Sequence, residues 1–96
     1  MEKSSICKQS THRPRLSSTL DPAVREAMGG ILRRHRLARS MTQGALGHPL
    51  SRAYVSSVEA GRTVPSLPAL RLMVLRLDMS LAEFFAEVDS SLSTST

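Results

Sequence analysis

The chain has no tryptophan, and Phe84, Phe85 and Tyr54 are its only aromatic side chains, 3% of 96 residues. A core must therefore rest on Leu, Val, Ile, Met and Ala, which suits short helices better than a β-sandwich. Cysteine occurs once, at Cys7, which excludes an intrachain disulfide framework and any Cys-rich zinc site. No apolar run approaches the ~20 residues that span a bilayer. Lys3 has no apolar stretch behind it of the kind a secretory signal carries. A reduced, cytoplasmic setting is expected. Catalytic groupings are missing as well. His12 falls in a polar N-terminal stretch, His35 on an apolar stripe and His48 in a turn, with no carboxylate–His–nucleophile set at plausible spacing. The sequence predicts no enzyme, no metal site and no cofactor.

What is present suffices for one small domain with tails. Apolar residues make up 41% and charged residues 22%, close to ordinary globular usage. The net charge of +5 and pI near 10.7 ask for an anionic partner, and the distribution of charge sharpens this. Residues 1–20 carry Lys3, Lys8, Arg13 and Arg15 against Glu2, and residues 21–47 carry Arg25, Arg33, Arg34, Arg36 and Arg39 against Asp21 and Glu26. The last third reverses sign, with Asp78, Glu83, Glu87 and Asp89 against Arg71 and Arg76. A basic front and an acidic end suit a nucleic-acid binder with a separate assembly face.

Residues 1–20 have only Ile6, Leu16 and Leu20 as sizeable apolar side chains, too few to offset ordering entropy, so a flexible basic arm is expected. Asp21-Pro22 starts a first helix, with Val24, Met28, Ile31, Leu32 and His35 on one stripe. Gly29-Gly30 weakens that helix, whose firm part is expected from Gly30 to Ala38. Thr42 caps a short second helix ending at Leu46 or Gly47, and His48-Pro49-Leu50 makes a turn. Ser51 caps a third, Arg52 to Ala60, with Val55 and Val58 inward and Gly61 as its left-handed stop. Ser66 caps a fourth with the stripe Leu67, Leu70, Met73, Val74 and Leu77. Ser80 and Glu83 form a capping box for a fifth, bearing Leu81, Phe84, Phe85 and Val88. The reading is all-α: a domain over residues 21–88 and a disordered polar tail over 89–96.

At this point a family emerges. Met28-Gly29-x-x-Leu32-Arg33-x-x-Arg36-x-x-x-Ser40-Met41-Thr42-Gln43 is followed by Ala45-Leu46 and then by Ser51-Arg52-Ala53-Tyr54-Val55-Ser56-Ser57-Val58-Glu59-x-Gly61-Arg62. Together with Pro65-Ser66-Leu67 and the run from Leu70 to Phe85, this resembles the Cro/phage-repressor (XRE-like) type of helix-turn-helix DNA-binding domain. The resemblance spans roughly residues 27–88 and implies a five-helix, lambda-repressor-like fold. It implies that Arg52, Ala53 and Ser57 reach base edges, and that Thr42, Gln43, Ser51, Tyr54 and Arg62 meet the phosphate backbone. It also implies a structural salt bridge between Arg36 and Glu59. Physics supports the scheme. A short amphipathic helix with small outward side chains enters the ~12 Å major groove, and an arginine fork can bond guanine O6 and N7. Arg52 on phosphate and Tyr54 in the core remain the competing readings of those two residues. The chain departs from the pattern in a shorter span from Gln43 to Glu59, in Gly47 where alanine is usual, and in Ala60 where asparagine is common.

The function expected is a sequence-specific double-stranded DNA-binding regulator, a repressor that occupies a palindromic operator as a homodimer. Adjacent helical residues point ~100° apart, so Phe84 and Phe85 cannot both face one small core; one is expected to fill the domain and the other to meet a second subunit. A dimer interface is therefore expected at Leu81, Phe84, Phe85 and Val88. The rival is a helical adaptor for a protein partner, such as an antitoxin-type or sigma-factor-binding module.

Overall fold

The computed structural model describes residues 21–94, and among them finds five α-helices and no strand. They are α1 (Pro22–Ala38), α2 (Gln43–Gly47), α3 (Arg52–Glu59), α4 (Leu67–Arg76) and α5 (Leu81–Thr94). The expected arm, with Cys7 and His12, lies outside the described residues.

Each helix begins where a side-chain oxygen satisfies an orphan amide of the first turn. Asp21 accepts from Ala23 N at 2.9 Å, Thr42 from Ala45 N at 3.0 Å, Ser51 from Tyr54 N at 3.0 Å and Ser66 from Ala69 N at 3.3 Å. At α5 the box closes in both directions: Ser80 Oγ accepts from Glu83 N at 3.0 Å, and Ser80 N donates to Glu83 Oε1 at 2.8 Å. The ends of α1, α3 and α4 turn on a left-handed residue, at Ser40 (φ 54), Gly61 (φ 79) and Asp78 (φ 65). In each, the next amide reaches back to close a Schellman motif: Met41 N to Arg36 O, Arg62 N to Ser57 O and Met79 N to Val74 O.

The core gathers Met28, Ile31 and Leu32 from α1, Leu46 from α2, Val55 and Val58 from α3, Leu70, Met73 and Val74 from α4, and Phe84 and Val88 from α5. Leu77 and Met79 join it from the loop after α4. Helix α1 packs on α3 and α5, α2 on α3 and α4, and α4 on α5.

Three expectations are corrected. First, α1 runs unbroken through Gly29-Gly30. A Cβ at Gly29 would lie 2.4 Å from Val58 O and 2.6 Å from Glu59 O, so the missing side chain lets α1 cross the end of α3. Second, Leu67 does not join the core stripe of α4 and is 61% exposed. Third, the chain does not leave the fold at Asp89. Helix α5 continues to Thr94, with Leu92 packed against the core, so one further apolar side chain carries the helix past the expected tail boundary.

Candidate nucleic-acid interface

Helices α2 and α3 form the helix-turn-helix, and a polar network ties both to α1. Arg36 is buried on α1 and Glu59 on α3. Arg36 Nε donates to Glu59 Oε2 at 2.7 Å and Nη2 to Glu59 Oε1 at 3.0 Å, a bidentate pair of the strong kind. Arg36 Nη1 donates to Met41 O at 2.8 Å, and Gln43 Nε2 donates to Glu59 Oε1 at 3.1 Å. One carboxylate thus joins α1, α2 and α3. The pair that resemblance alone suggested is present, and Gln43 belongs to the same network.

With Val55 and Val58 facing the core and Glu59 held by this network, α3 turns its other side outward. Arg52 and Ala53 are exposed there. A shallow depression is lined by Gln43, Arg52, Ala53 and Ser56, and the aliphatic stem of Arg52 runs past Gly44. Ser57 is placed differently. It is half-buried, with Oγ hydrogen-bonded to Thr63 Oγ1 at 2.6 Å. Ser56, an outward position of the amphipathic helix that the family pattern does not single out, shares the depression with Gln43, Arg52 and Ala53. The signal for it was the i, i+4 spacing from Arg52.

Around this face, Thr42 and Ser51 act as helix caps, each hydroxyl oxygen accepting a backbone amide. Arg62 is exposed just beyond α3. Tyr54 is half-buried and packs against the core, and its hydroxyl accepts from Ser66 N at 3.2 Å. Arg33 and Arg39 on the α1 side are exposed. Of the expected interface residues, Phe84 and Val88 are buried in the core of the single chain, 0% and 4% exposed. They are filling that core and cannot also face a second subunit, which corrects the sequence reading. Phe85 remains, 41% exposed with its ring 5.3 Å from that of Phe84 in an edge-on contact. Leu81 is half-buried.

A family model described as a helix-turn-helix domain matches residues 27–84. The chain belongs to that family. The match covers α2, the turn, α3 and most of what supports them, in keeping with the resemblance to the Cro/phage-repressor type. This helix-turn-helix domain has the architecture of DNA-binding regulators. No curated protein and no solved structure matches the chain. Among the described residues no helix is long and apolar enough to cross a membrane.

Proposed function

We propose that this helix-turn-helix protein is a sequence-specific double-stranded DNA-binding transcriptional regulator that occupies a palindromic operator as a dimer and represses by steric exclusion. The observation that carries the proposal is the Arg36–Glu59–Gln43 network. It ties α3 to α1 and α2, and leaves Arg52 and Ala53 exposed on the outward side of α3. In this reading Arg52 donates bidentately to a guanine and Ala53 meets the groove floor, while Ser57, one turn on, reaches a base only by giving up its hydrogen bond to Thr63. Phosphates are held by Thr42, Gln43, Ser51, Tyr54 and Arg62, and the basic residues before Asp21 add charge.

The test is selection from a pool of randomised duplexes, followed by binding of Arg52→Ala to the selected site. A conserved palindrome should emerge, and Arg52→Ala should cost ~1–3 kcal/mol at one base pair per half-site. A uniform loss across all duplexes would put Arg52 on phosphate instead. One observation favours the adaptor reading. Leu67, Pro68, Arg71, Leu72, Leu75 and Leu81 line an apolar groove, and Leu67 and Leu75 are 61% and 55% exposed. Selection that returns no sequence preference would favour that reading.

A further inference from the structure

The short span between α2 and α3 leaves a hydrogen-bonding deficit at the end of α2. Helix α2 has five residues, and its last carbonyls have no helical successors. The amide that would serve Ala45 O belongs to position 49, which is proline and has no N–H. The amide that would serve Leu46 O is that of Leu50, which donates to Gly47 O at 2.6 Å instead. The missing donor comes from another helix. Arg76, in the last turn of α4, places Nη1 3.3 Å from Ala45 O and 3.3 Å from Leu46 O, and donates to His48 O as well. A cation at a helix C-terminus also complements its dipole. On the opposite side of the turn, a Cβ at Gly47 would lie 2.3 Å from Val55 Cγ2, so α3 is seated directly on α2.

We infer that Arg76 is a positioning residue for the recognition helix. By gripping the carbonyls at the α2–α3 turn from α4, it sets the angle at which α3 presents Arg52 and Ala53, without itself touching DNA. The inference rests on the reading of α3 as the DNA-reading helix. It assigns base preference to a residue outside the helix-turn-helix and remote from it in sequence.

Two measurements on the full chain, wild type against Arg76→Ala and Arg76→Lys, test it. The first is amide hydrogen exchange, which involves no DNA. Arg76→Ala should speed exchange at Leu46, His48 and Leu50, while Phe84 of α5, whose amide donates to Ser80 O, exchanges as before. The second compares binding to a selected duplex and to a scrambled one. Arg76→Ala should lower the ratio of selected to scrambled affinity by about tenfold, and its salt dependence on scrambled DNA should stay that of wild type. Arg76→Lys keeps a charged donor on a shorter side chain and should recover part of the ratio. Unchanged exchange around the turn overturns the proposal, as does an unchanged affinity ratio. A salt slope reduced by about one unit on scrambled DNA also overturns it, because it makes Arg76 a phosphate contact. If wild type selects no sequence at all, the DNA-reading function itself falls, whereas the exchange data still report whether Arg76 holds the turn.

Discussion

Gly29 and Gly30 are neighbours in one helix, yet alanine at the two positions should act in opposite directions. A Cβ at Gly30 meets nothing within 4 Å. Gly30→Ala should therefore recover the propensity a mid-helix glycine forfeits, about 1 kcal/mol of added stability. The same propensity gain is available at Gly29 and is outweighed. There the new atom meets the carbonyls of Val58 and Glu59, backbone groups that cannot rotate away, and such overpacking costs ~1–3 kcal/mol. Urea unfolding of the two single variants checks the pair of signs. Gly47 belongs with Gly29, since its obstacle is the stiff β-branched side chain of Val55 in α3. The usual alanine is absent from this position because α3 occupies its space.

At the scale of elements, helices are held together by charged groups as well as by apolar stripes. Glu59 accepts two bonds from Arg36 and one from Gln43. Arg36→Ala leaves the carboxylate buried beside Gln43 alone, which should cost ~3–5 kcal/mol, read as a lower urea midpoint, and should loosen α1 from α3. A second, more exposed cluster docks α5 on α1. The Glu87 carboxylate accepts from His35 Nε2 at 3.0 and 3.1 Å and from Arg34 Nη2 at 2.5 Å. The His35 hydrogen bond is the largest cause holding the Glu87 carboxyl below the ordinary glutamate range; burial opposes it, and the charges of His35 and Arg34 assist. A carboxyl lowered on folding stabilises the fold above its unfolded pKa, and that contribution disappears as pH falls through the folded value. Thermal melts should therefore show wild type losing more stability between pH 6 and about 3 than Glu87→Gln does. Equal losses in the two proteins would remove Glu87 from the acid sensitivity.

For the whole molecule, the central question is how enough DNA is read. One recognition helix covers too few base pairs to single out a site among ~10⁶–10⁹ competitors. Pairing doubles the readout and sets half-sites ~34–36 Å apart. With Phe84 and Val88 in the core, the most exposed of the expected contact side chains on α5 is Phe85, 41% exposed, on a helix that also carries the acidic Glu83 and Asp89, which phosphate would repel. Phe85→Glu gives up an edge-on ring contact of only ~0.5–1.5 kcal/mol, so the variant should fold. Sedimentation should show a dimeric wild type and a monomeric variant, with most of the affinity for the selected palindrome gone. A wild type that stays monomeric at micromolar concentration while gripping a single half-site would defeat the dimer proposal.

Much of this protein was settled by order along the chain. Asp21, Thr42, Ser51, Ser66 and Ser80 mark the helix starts because a cap and the amide it satisfies lie two or three residues apart, and Gly61 marks the end of α3 because only glycine adopts its backbone freely. The family, and with it the Arg36–Glu59 pair, was legible because several short motifs recur in fixed order. Other features depend on which helices meet, and packing alone decided those. Gly29 and Gly47 are required by neighbours across the fold. Ser40 and Asp78 take left-handed backbone that local preference would assign to glycine, held there by the reaching-back amides of Met41 and Met79. Phe84 rather than Phe85 fills the core, Ser56 rather than Ser57 opens beside Arg52, and α5 continues to Thr94 because Leu92 finds the core. Arg76 shows the limit most clearly. As a residue it is one more arginine in a basic chain, and its partners lie 28 to 31 positions away. Its role exists only once α4 has packed on α2 and brought a donor to carbonyls that the turn had left without one.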